Sequence, residues 1–489
     1  AFGGDPDNFM FPRYCLDIAF LRVYENGTPA HTPNYFHVRE FGAEEGELVF
    51  VAGHPGSSER QLTLTQLKTL RDFVLPVWLL RYSELRGRLI QFGKTSAEAH
   101  RIIQTPLMRI ENQIKIRRNK LSALLDGVLL ARKEREEKIL RELIKNNTHL
   151  NALYGQAWDE IEKGQQNYRA LHLPYIFAEK AAAFNTVLFS YARTLVRGAV
   201  ERNKPNKKRL SNYTRQAMPR LSQWILSYRP IYPGLEEVRL SFSLEKMREW
   251  LGPDHEFVKN VLGLKSPEVL AHQLITKTQL GNLALREKLW KGGEQALHDC
   301  DDPMITLAKK VDAYSRTILQ RYKNQTQSHT RLGLEKISRA KFEIEKNDRY
   351  PDATFTLRVS YGSVQGWKEQ DKQVSPFTQI STVFKRATGK NPFRLPTSWI
   401  QAKNTLDMST RFNFVTTNDI TGGNSGSPVV DREGRLVGLI FDGNIHSIAG
   451  SYWFNPLNNR AVAVHPSSIL ESLRKIYGAR ELLSEIEVN

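Results

Sequence analysis

The chain has 489 residues, a formal net charge of +18, 40% hydrophobic residues and 10% aromatic residues. This length predicts two or more packed units, and this apolar content argues against a largely disordered chain. The only cysteines, Cys15 and Cys300, have no metal-ligand spacing, so we expect neither a disulfide framework nor a metal site, although a single bridge is left open. The longest apolar run, Val74–Leu80, is shorter than the roughly 20 residues needed to span a bilayer, so no membrane span is predicted.

The N-terminal segment has the pattern of β-strands. The runs DIAFLRVY, from Asp17, and ELVFVAG, from Glu47, are apolar and partly alternating, and the turn-rich stretch ENGTPAHTPN separates them. Residues 1–63 are therefore predicted to be part of a β domain, with Asp17 at the start of a strand.

Residues 64–348 are predicted to form a helical domain, because their apolar residues recur at three- and four-residue intervals. Turn-forming residues at 202–209, 228–234 and 251–256 should break this segment into separate helices. One apolar stripe is expected opposite a block of charged residues, and it comprises Leu121, Leu124, Leu125, Val128, Leu129, Ile139, Leu140 and Leu143.

The β pattern returns in residues 349–489. Short apolar runs bounded by Gly, Asn and Asp predict several strands, and the last stretch predicts a terminal helix capped near Ser467. The simplest architecture is one β domain interrupted by the helical segment, and two independent β domains are the alternative.

The stretch TNDITGGNSGSPVVD, from Thr417 to Asp431, has the pattern of a nucleophile loop. Ser425 lies between small residues in a turn between two predicted strands, where its hydroxyl could stand exposed. The backbone N–H groups of Gly423 and Ser425 could bind a developing oxyanion. A plain tight turn is the competing interpretation. Asp17 would suit an acid that orients a histidine, and an exposed residue at a strand end is the alternative for it.

Six blocks of sequence occur in an order that resembles the bacterial serine dipeptidyl peptidases of the dipeptidyl-peptidase 7/11 family. They are GGDPDNFMFPRY with DIAFLRVY, VFVAGHPGSS, FTLRVSYG, NPFRLP, FNFVTTNDITGGNSGSPVVD and LVGLIFDGN. The resemblance implies an α+β fold, namely a chymotrypsin-like double β-barrel with its N-terminal part missing here and a large inserted all-helical domain. It also implies removal of dipeptides from free peptide N-termini without a cofactor.

Carried over by position, the resemblance makes Ser425 the nucleophile, Asp17 the acid that orients the general base, and Gly423 with Ser425 the oxyanion site. The family's catalytic histidine lies upstream of the acid, and this sequence has no histidine before Asp17. His54 is expected to fill a turn, and neither His446 nor His465 is expected to replace the missing base. We therefore expect the chain as given to be inactive alone.

The resemblance also assigns the substrate site. Asp442, with the pair Asn8 and Phe9, would hold the substrate α-ammonium, and Asn112 of the helical domain is the candidate that completes this group. A strand-end turn is the alternative for Asp442. Gly443 matches the position where Arg accompanies acidic P1 residues and Gly accompanies apolar ones, so the resemblance implies a hydrophobic P1 preference.

Partners follow from the same resemblance: oligopeptides with a free N-terminus, a homodimer, and a periplasmic location. Two other functions are kept as alternatives. A peptidase-like peptide-binding protein would explain the absent histidine, and a basic helical nucleic-acid-binding protein would explain the net charge. The second is disfavoured, because acids alternate with the basic residues in RKEREEKILRE.

Overall fold

The computed structural model describes residues 6–345 and 351–486. Its β-strands are Tyr24–Glu25 (β1), Thr28–Pro29 (β2), Leu48–Gly53 (β3), Arg358–Ser363 (β4), Trp367–Glu369 (β5), Lys372–Val374 (β6), Phe377–Gln379 (β7), Arg411–Thr416 (β8), Pro428–Val430 (β9), Leu436–Gly443 (β10) and Ala461–Val464 (β11).

The α-helices are Leu64–Thr69 (α1), Leu75–Gly93 (α2), Ala97–Leu125 (α3), Gly127–Lys145 (α4), Thr148–Tyr154 (α5), Ala157–Pro174 (α6), Val187–Arg202 (α7), Met218–Leu226 (α8), Pro233–Leu251 (α9), Glu256–Leu262 (α10), Pro267–Lys277 (α11), Leu283–His298 (α12), Pro303–Tyr322 (α13), Ser328–Glu345 (α14), Ile380–Arg386 (α15), Thr397–Ala402 (α16), Pro466–Ser472 (α17) and Arg480–Ile486 (α18). No helix in the described ranges is both long and apolar enough to cross a membrane.

The chain divides into two compact units. The sheet unit comprises the described residues up to Leu62, the segment Lys115–Lys133, and the described residues from 351 onward. The helical unit comprises Thr63–Ile114 and the described residues from Glu134 onward to 345. The segment Lys115–Lys133, which lies inside the predicted helical domain, therefore belongs to the compact unit that contains the sheet.

A seven-stranded antiparallel sheet forms the centre of the sheet unit, in the order β4-β3-β9-β10-β11-β8-β7. Strand β3 lies between β4 and β9, so segments from before and after the helical domain share one sheet. Its side chains alternate, and Val49 and Val51 are fully buried in the core with Phe414 and Val429. The chain just after β4 also contacts β8, where Gln365 N–H donates to Val415 O at 3.3 Å.

The strand predicted for DIAFLRVY is wrong over most of its length. Only Tyr24 and Glu25 pair, in a two-residue ladder with Thr28–Pro29, and Asp17 lies in an irregular, exposed segment. An apolar alternating run becomes a strand only where a neighbouring backbone accepts and donates its hydrogen bonds, and among the described residues the run 17–23 has one such bond, from Ala30 N–H to Val23 O at 2.9 Å.

The expected apolar stripe of the helical domain is correct only in part. Leu124, Leu129 and Leu140 are buried, whereas Leu125, Val128, Ile139 and Leu143 are 48–66% exposed. A break at Asp126 separates α3 from α4, so the two halves of the stripe do not continue along one helix face. The predicted breaks are confirmed, because α7 ends at Arg202, α8 at Leu226 and α9 at Leu251.

The terminal helix begins earlier than predicted. Pro466 is its first residue, and the Nδ1 atom of His465 accepts a hydrogen bond from Ser467 N–H at 3.3 Å, so His465 and not Ser467 caps α17. Gly478 adopts a left-handed conformation, with φ of +59°, and separates α17 and the turn after it from α18.

Candidate active site

Ser425 stands exposed in a firmly anchored loop, residues 417–427, which joins β8 to β9 and is called the nucleophile loop below. Asn424 is a buried residue of this loop, and the Oδ1 atom of Asn424 accepts a hydrogen bond from Thr421 N–H at 3.1 Å. Gly426 N–H donates to Ile440 O of β10 at 2.7 Å, and Ser427 N–H donates to Asn424 O at 2.9 Å. These bonds hold the loop on both sides of Ser425 and leave its hydroxyl facing solvent.

Gly423 occupies a position that admits no side chain. Its φ is +111°, and a Cβ atom placed there would lie 2.4 Å from His54 O and 2.7 Å from Gly56 N. Gly56 N–H in turn donates to Gly422 O at 2.7 Å, which fixes this close approach. Glycine is therefore required at position 423, because a side chain would clash with the segment that contains His54 and Gly56.

The amides of Gly423 and Ser425 donate to no protein acceptor in the described part of the chain. Free backbone donors beside an exposed hydroxyl are the arrangement that an oxyanion site requires. The predicted nucleophile and the predicted oxyanion donors thus lie in one loop by chain continuity, and their catalytic roles stay predictions.

Three histidines, His54, His446 and His465, contact residues other than Ser425. His54 lies exposed in its turn with its ring 5.8 Å from that of Phe355, and His446 Nε2 lies 2.7 Å from Glu369 Oε2. His465 is fully buried and caps α17. Among the described residues, none of the three forms a hydrogen bond with Ser425, and the role predicted for Asp17 stays a prediction.

Asp442 and Phe9, distant in sequence, are in direct contact. Phe9 N–H donates to Asp442 Oδ2 at 3.0 Å, and Asn8 precedes it with its carbonyl oxygen accepting from Lys115 Nζ at 3.0 Å. The Asp442 side chain is only 8% exposed and Asp442 is the second-to-last residue of β10, so the amine-binding role and the strand-end alternative both stay predictions. Phe9 has a φ of +56°, a region that bulky residues seldom occupy and that is often found at ligand sites.

Arg13 is the residue of this cluster that the sequence did not reveal. Its Nη1 atom lies 2.7 Å from Asp442 Oδ2, both side chains are almost fully buried, and its guanidinium stacks 5.3 Å from the Phe441 ring centre. Burial raises the pKa of Asp442, and Arg13 together with the N–H groups of Phe9 and Gly443 opposes that rise.

Gly443 is packed tightly by its own neighbours. A Cβ atom at this position would lie 2.3 Å from Ser447 Oγ and 2.8 Å from Ser447 Cβ. Ser447 Oγ is held in place by donating to Asn444 O at 2.6 Å.

Asn112, the candidate of the helical domain for the substrate amine, lies half-buried on α3 in the helical unit.

No group of three or more His, Cys, Asp or Glu side chains suited to a metal ion occurs within the described ranges. Cys15 and Cys300 are free thiols, so the single bridge left open by the sequence is not formed.

Comparison with known proteins places these features in a family. The family model described as peptidase S46 matches residues 1–488. An Asp/Glu-specific dipeptidyl-peptidase of Shewanella putrefaciens is 27% identical, over 100% of this chain and 72% of its own length. Dipeptidyl-peptidase 7 of Porphyromonas gingivalis is 25% identical, over 100% of this chain and 70% of its own length.

A solved structure shows the same fold. The crystal structure of Porphyromonas endodontalis DPP11 in complex with dipeptide Arg-Glu aligns with a TM-score of 0.79 at 17% identity, covering 99% of this chain and 72% of the DPP11 chain. With the family model spanning nearly the whole sequence, this chain belongs to the peptidase S46 family of serine-type dipeptidyl-peptidases.

Proposed function

We propose that the chain carries the nucleophile and the amine-binding site of a dipeptidyl-peptidase that prefers apolar P1 residues. One observation carries the proposal. Gly426, next to Ser425, donates to Ile440 O, and Asp442 follows two residues later on the same strand. Two regular strand residues extend about 7 Å, which is also about the span of an extended dipeptide, and the register shift between Ile440 and Asp442 makes this an upper value. An α-ammonium held at Asp442 would thus bring the second peptide bond to Ser425.

In the proposed reaction, Ser425 Oγ attacks the carbonyl carbon of that peptide bond and its proton passes to a general base. The resemblance implies that this base is a histidine oriented by Asp17. The oxyanion forms at the Gly423 and Ser425 amides, the leaving peptide takes the proton, and water then releases the dipeptide from the acyl-enzyme.

A chymotrypsin-like barrel is proposed for the sheet unit, and the hydrogen bonds between the end of β4 and β8 support it.

The apolar P1 preference rests on Gly443. No cation stands at that position, so burial of an apolar side chain there would gain roughly 25 cal/mol per Å². The relatives include both an Asp/Glu-specific dipeptidyl-peptidase and a dipeptidyl-peptidase 7, so the family alone does not choose between the preferences.

A homodimer in the periplasm is proposed on the family resemblance.

The amine site is tested with dipeptidyl substrates that carry a free or an acetylated N-terminus, using the full-length protein. Free substrates should be cleaved and acetylated ones should not. Asp442→Asn should lower kcat/KM on free substrates about 10- to 100-fold, because a hydrogen bond between charged groups contributes roughly 1.5–3 kcal/mol. Asp371→Asn, at an exposed residue of the same unit, is the matched control and should have no effect.

Ser425→Ala completes the test, and it should remove turnover of every substrate. Equal rates on free and acetylated peptides would contradict the amine role of Asp442. Peptide binding without turnover by the full-length protein would favour the non-catalytic alternative.

The P1 preference needs a designed pair of variants, since Ser447 fills the space beside Gly443. Gly443→Arg combined with Ser447→Gly is compared with Ser447→Gly alone. The added guanidinium should lower the ratio of kcat/KM for apolar over acidic P1 substrates at least about tenfold, because an unpaired buried charge opposes apolar ligands. An unchanged ratio in a variant that still turns over would show that residue 443 does not contact P1.

A further inference from the structure

A second segment, residues 54–61, runs along the nucleophile loop, and its Arg60 side chain forms hydrogen bonds with two other segments. Arg60 forms a bidentate ion pair with Asp419, with Nη1–Oδ2 of 2.5 Å and Nη2–Oδ1 of 2.8 Å. Its Nε atom donates to Gly450 O at 3.0 Å. Asp419 lies in the nucleophile loop, and Gly450 lies in the loop 444–452 that follows Gly443 and contains Ser447.

Arg60 itself is held rigidly. Asp352 accepts from Arg60 N–H at 2.9 Å and from Gln61 N–H at 3.0 Å, and it also accepts from Ser58 Oγ. Lys133 Nζ donates to Arg60 O at 2.5 Å. A fixed backbone and a planar guanidinium with its donors in a set geometry make Arg60 a stiff connection between the two loops.

The same segment touches both loops at two further points. Thr421 Oγ1 donates to Ser57 O at 3.2 Å on the side of the nucleophile loop. Glu59 N–H donates to Ser451 O at 2.7 Å on the side of the 444–452 loop. The segment therefore contacts the loop of the nucleophile and the loop behind the proposed P1 site together.

We propose that Arg60 is a positioning residue that sets the nucleophile loop and the 444–452 loop in one mutual arrangement, with Asp419 as its anchor on the nucleophile side. The inference rests on the proposed roles of Ser425 and Gly443. Arg60 acts through Asp419 and Gly450, and it touches neither substrate nor the reacting atoms. Its loss should disturb both Ser425 reactivity and P1 selectivity.

The two partners of Arg60 allow the two effects to be separated. Arg60→Lys keeps the charge but loses the bidentate geometry and the Nε bond to Gly450. Asp419→Asn weakens the connection to the nucleophile loop and leaves the Gly450 bond in place. The side chains of Arg60 and Asp419 are 25% and 32% exposed, and the free energy of unfolding of each variant separates a loss of stability from a change in the geometry of the site.

The test uses the full-length protein and two readouts. A fluorophosphonate probe reports the reactivity of Ser425 as an inactivation rate constant, and an apolar and an acidic P1 substrate give a kcat/KM ratio. Arg60→Lys should slow inactivation about tenfold to a hundredfold, the size expected when a reacting group is displaced by about 1 Å, and should shift the P1 ratio at least about threefold. Asp419→Asn should slow inactivation comparably and leave the ratio unchanged.

Arg411→Lys and Glu44→Gln are the matched controls, because Arg411 and Glu44 form a bidentate pair in the same unit at distances of 2.9 and 2.6 Å. They should change neither readout. Wild-type rates in Arg60→Lys, or equal losses in the control variants, would overturn the inference. If Ser425→Ala still reacts with the probe, the proposed nucleophile fails instead, and the two failures are distinguishable.

Discussion

Asp442, the proposed ligand of the substrate α-ammonium, is a buried carboxylate. Its side chain is 8% exposed, and an isolated carboxylate at that depth would take up a proton. Arg13 and two backbone N–H groups stabilise the charged form, which is the form that binds an α-ammonium. Arg386 pairs with Asp7 at 2.6 Å, and Asp7 O accepts from Arg13, so a second ion pair holds Arg13 in position.

Replacement of Arg13 should therefore change the pH dependence of substrate binding. Arg13→Gln keeps an N–H donor but removes the charge that lowers the pKa of Asp442. That pKa should rise further, so the acid limb of kcat/KM on free-amine substrates should move to higher pH, and KM should rise most at low pH.

Arg13→Lys, which keeps the charge, should leave the acid limb close to that of the wild type. The measurement is a pH profile of kcat/KM for the three proteins, normalised to the plateau of each, which removes a general loss of stability. Superimposable profiles for wild type and Arg13→Gln would contradict the electrostatic role.

At the scale of the element, α17 depends on an uncommon cap. His465 is fully buried between Gly42 and the ring of Phe414, and only its neutral form has a free Nδ1 lone pair to accept from Ser467 N–H. Burial, with a contribution from the nearby Arg411, lowers the pKa of His465 to about 3, while Glu44 acts in the opposite direction. A glycine at 42 is required here, because a Cβ atom would lie 2.4 Å from His465 Nε2.

Stability should consequently fall as the pH falls below the ordinary histidine pKa of about 6.5. The unfolded chain binds a proton at His465 in this range and the folded chain does not until about pH 3, so protons favour unfolding between these values. One such group can contribute a slope of up to about 1.4 kcal/mol per pH unit.

His465→Asn should reduce that slope, because Asn can cap a helix and does not titrate. The free energy of unfolding in urea, measured from pH 7 to pH 4 for both proteins, gives the two slopes. The variant should be less stable at pH 7, where it leaves a cavity, and less sensitive to acid. Equal slopes would show that His465 is not the titrating group.

At the scale of the whole molecule, the sheet is assembled from distant parts of the chain. Strand β3 precedes the helical segment and pairs with β4 and β9, which both follow it, and its Val49 and Val51 fill the core of that sheet. Neither half has a complete core alone, because residues before and after the helical segment contribute side chains to the same buried cluster. The tip of the α3–α4 pair joins this unit as well, through Lys115 on Asn8 O and Lys120 on Glu59.

The sequence by itself determined the features whose causes are local. Apolar, partly alternating residues predicted β3, short apolar runs bounded by turn residues predicted several strands after residue 349, and Pro and Gly predicted the breaks between helices. The small residues around Ser425 predicted an exposed serine in a turn. Each follows from side-chain periodicity or backbone freedom within a short stretch of chain, which a sequence displays directly.

Only the tertiary structure decided the features that join distant residues. Arg13 meets Asp442 across 429 positions, Arg60 meets Asp419 across 359, and Ser447 fills the space at Gly443. The segment after Asp17 has a strand pattern over eight residues but forms a strand only at its end, since a strand exists only when another backbone satisfies its hydrogen bonds. Which backbone or charge stands opposite a residue depends on the path of the whole chain, and no local pattern encodes it.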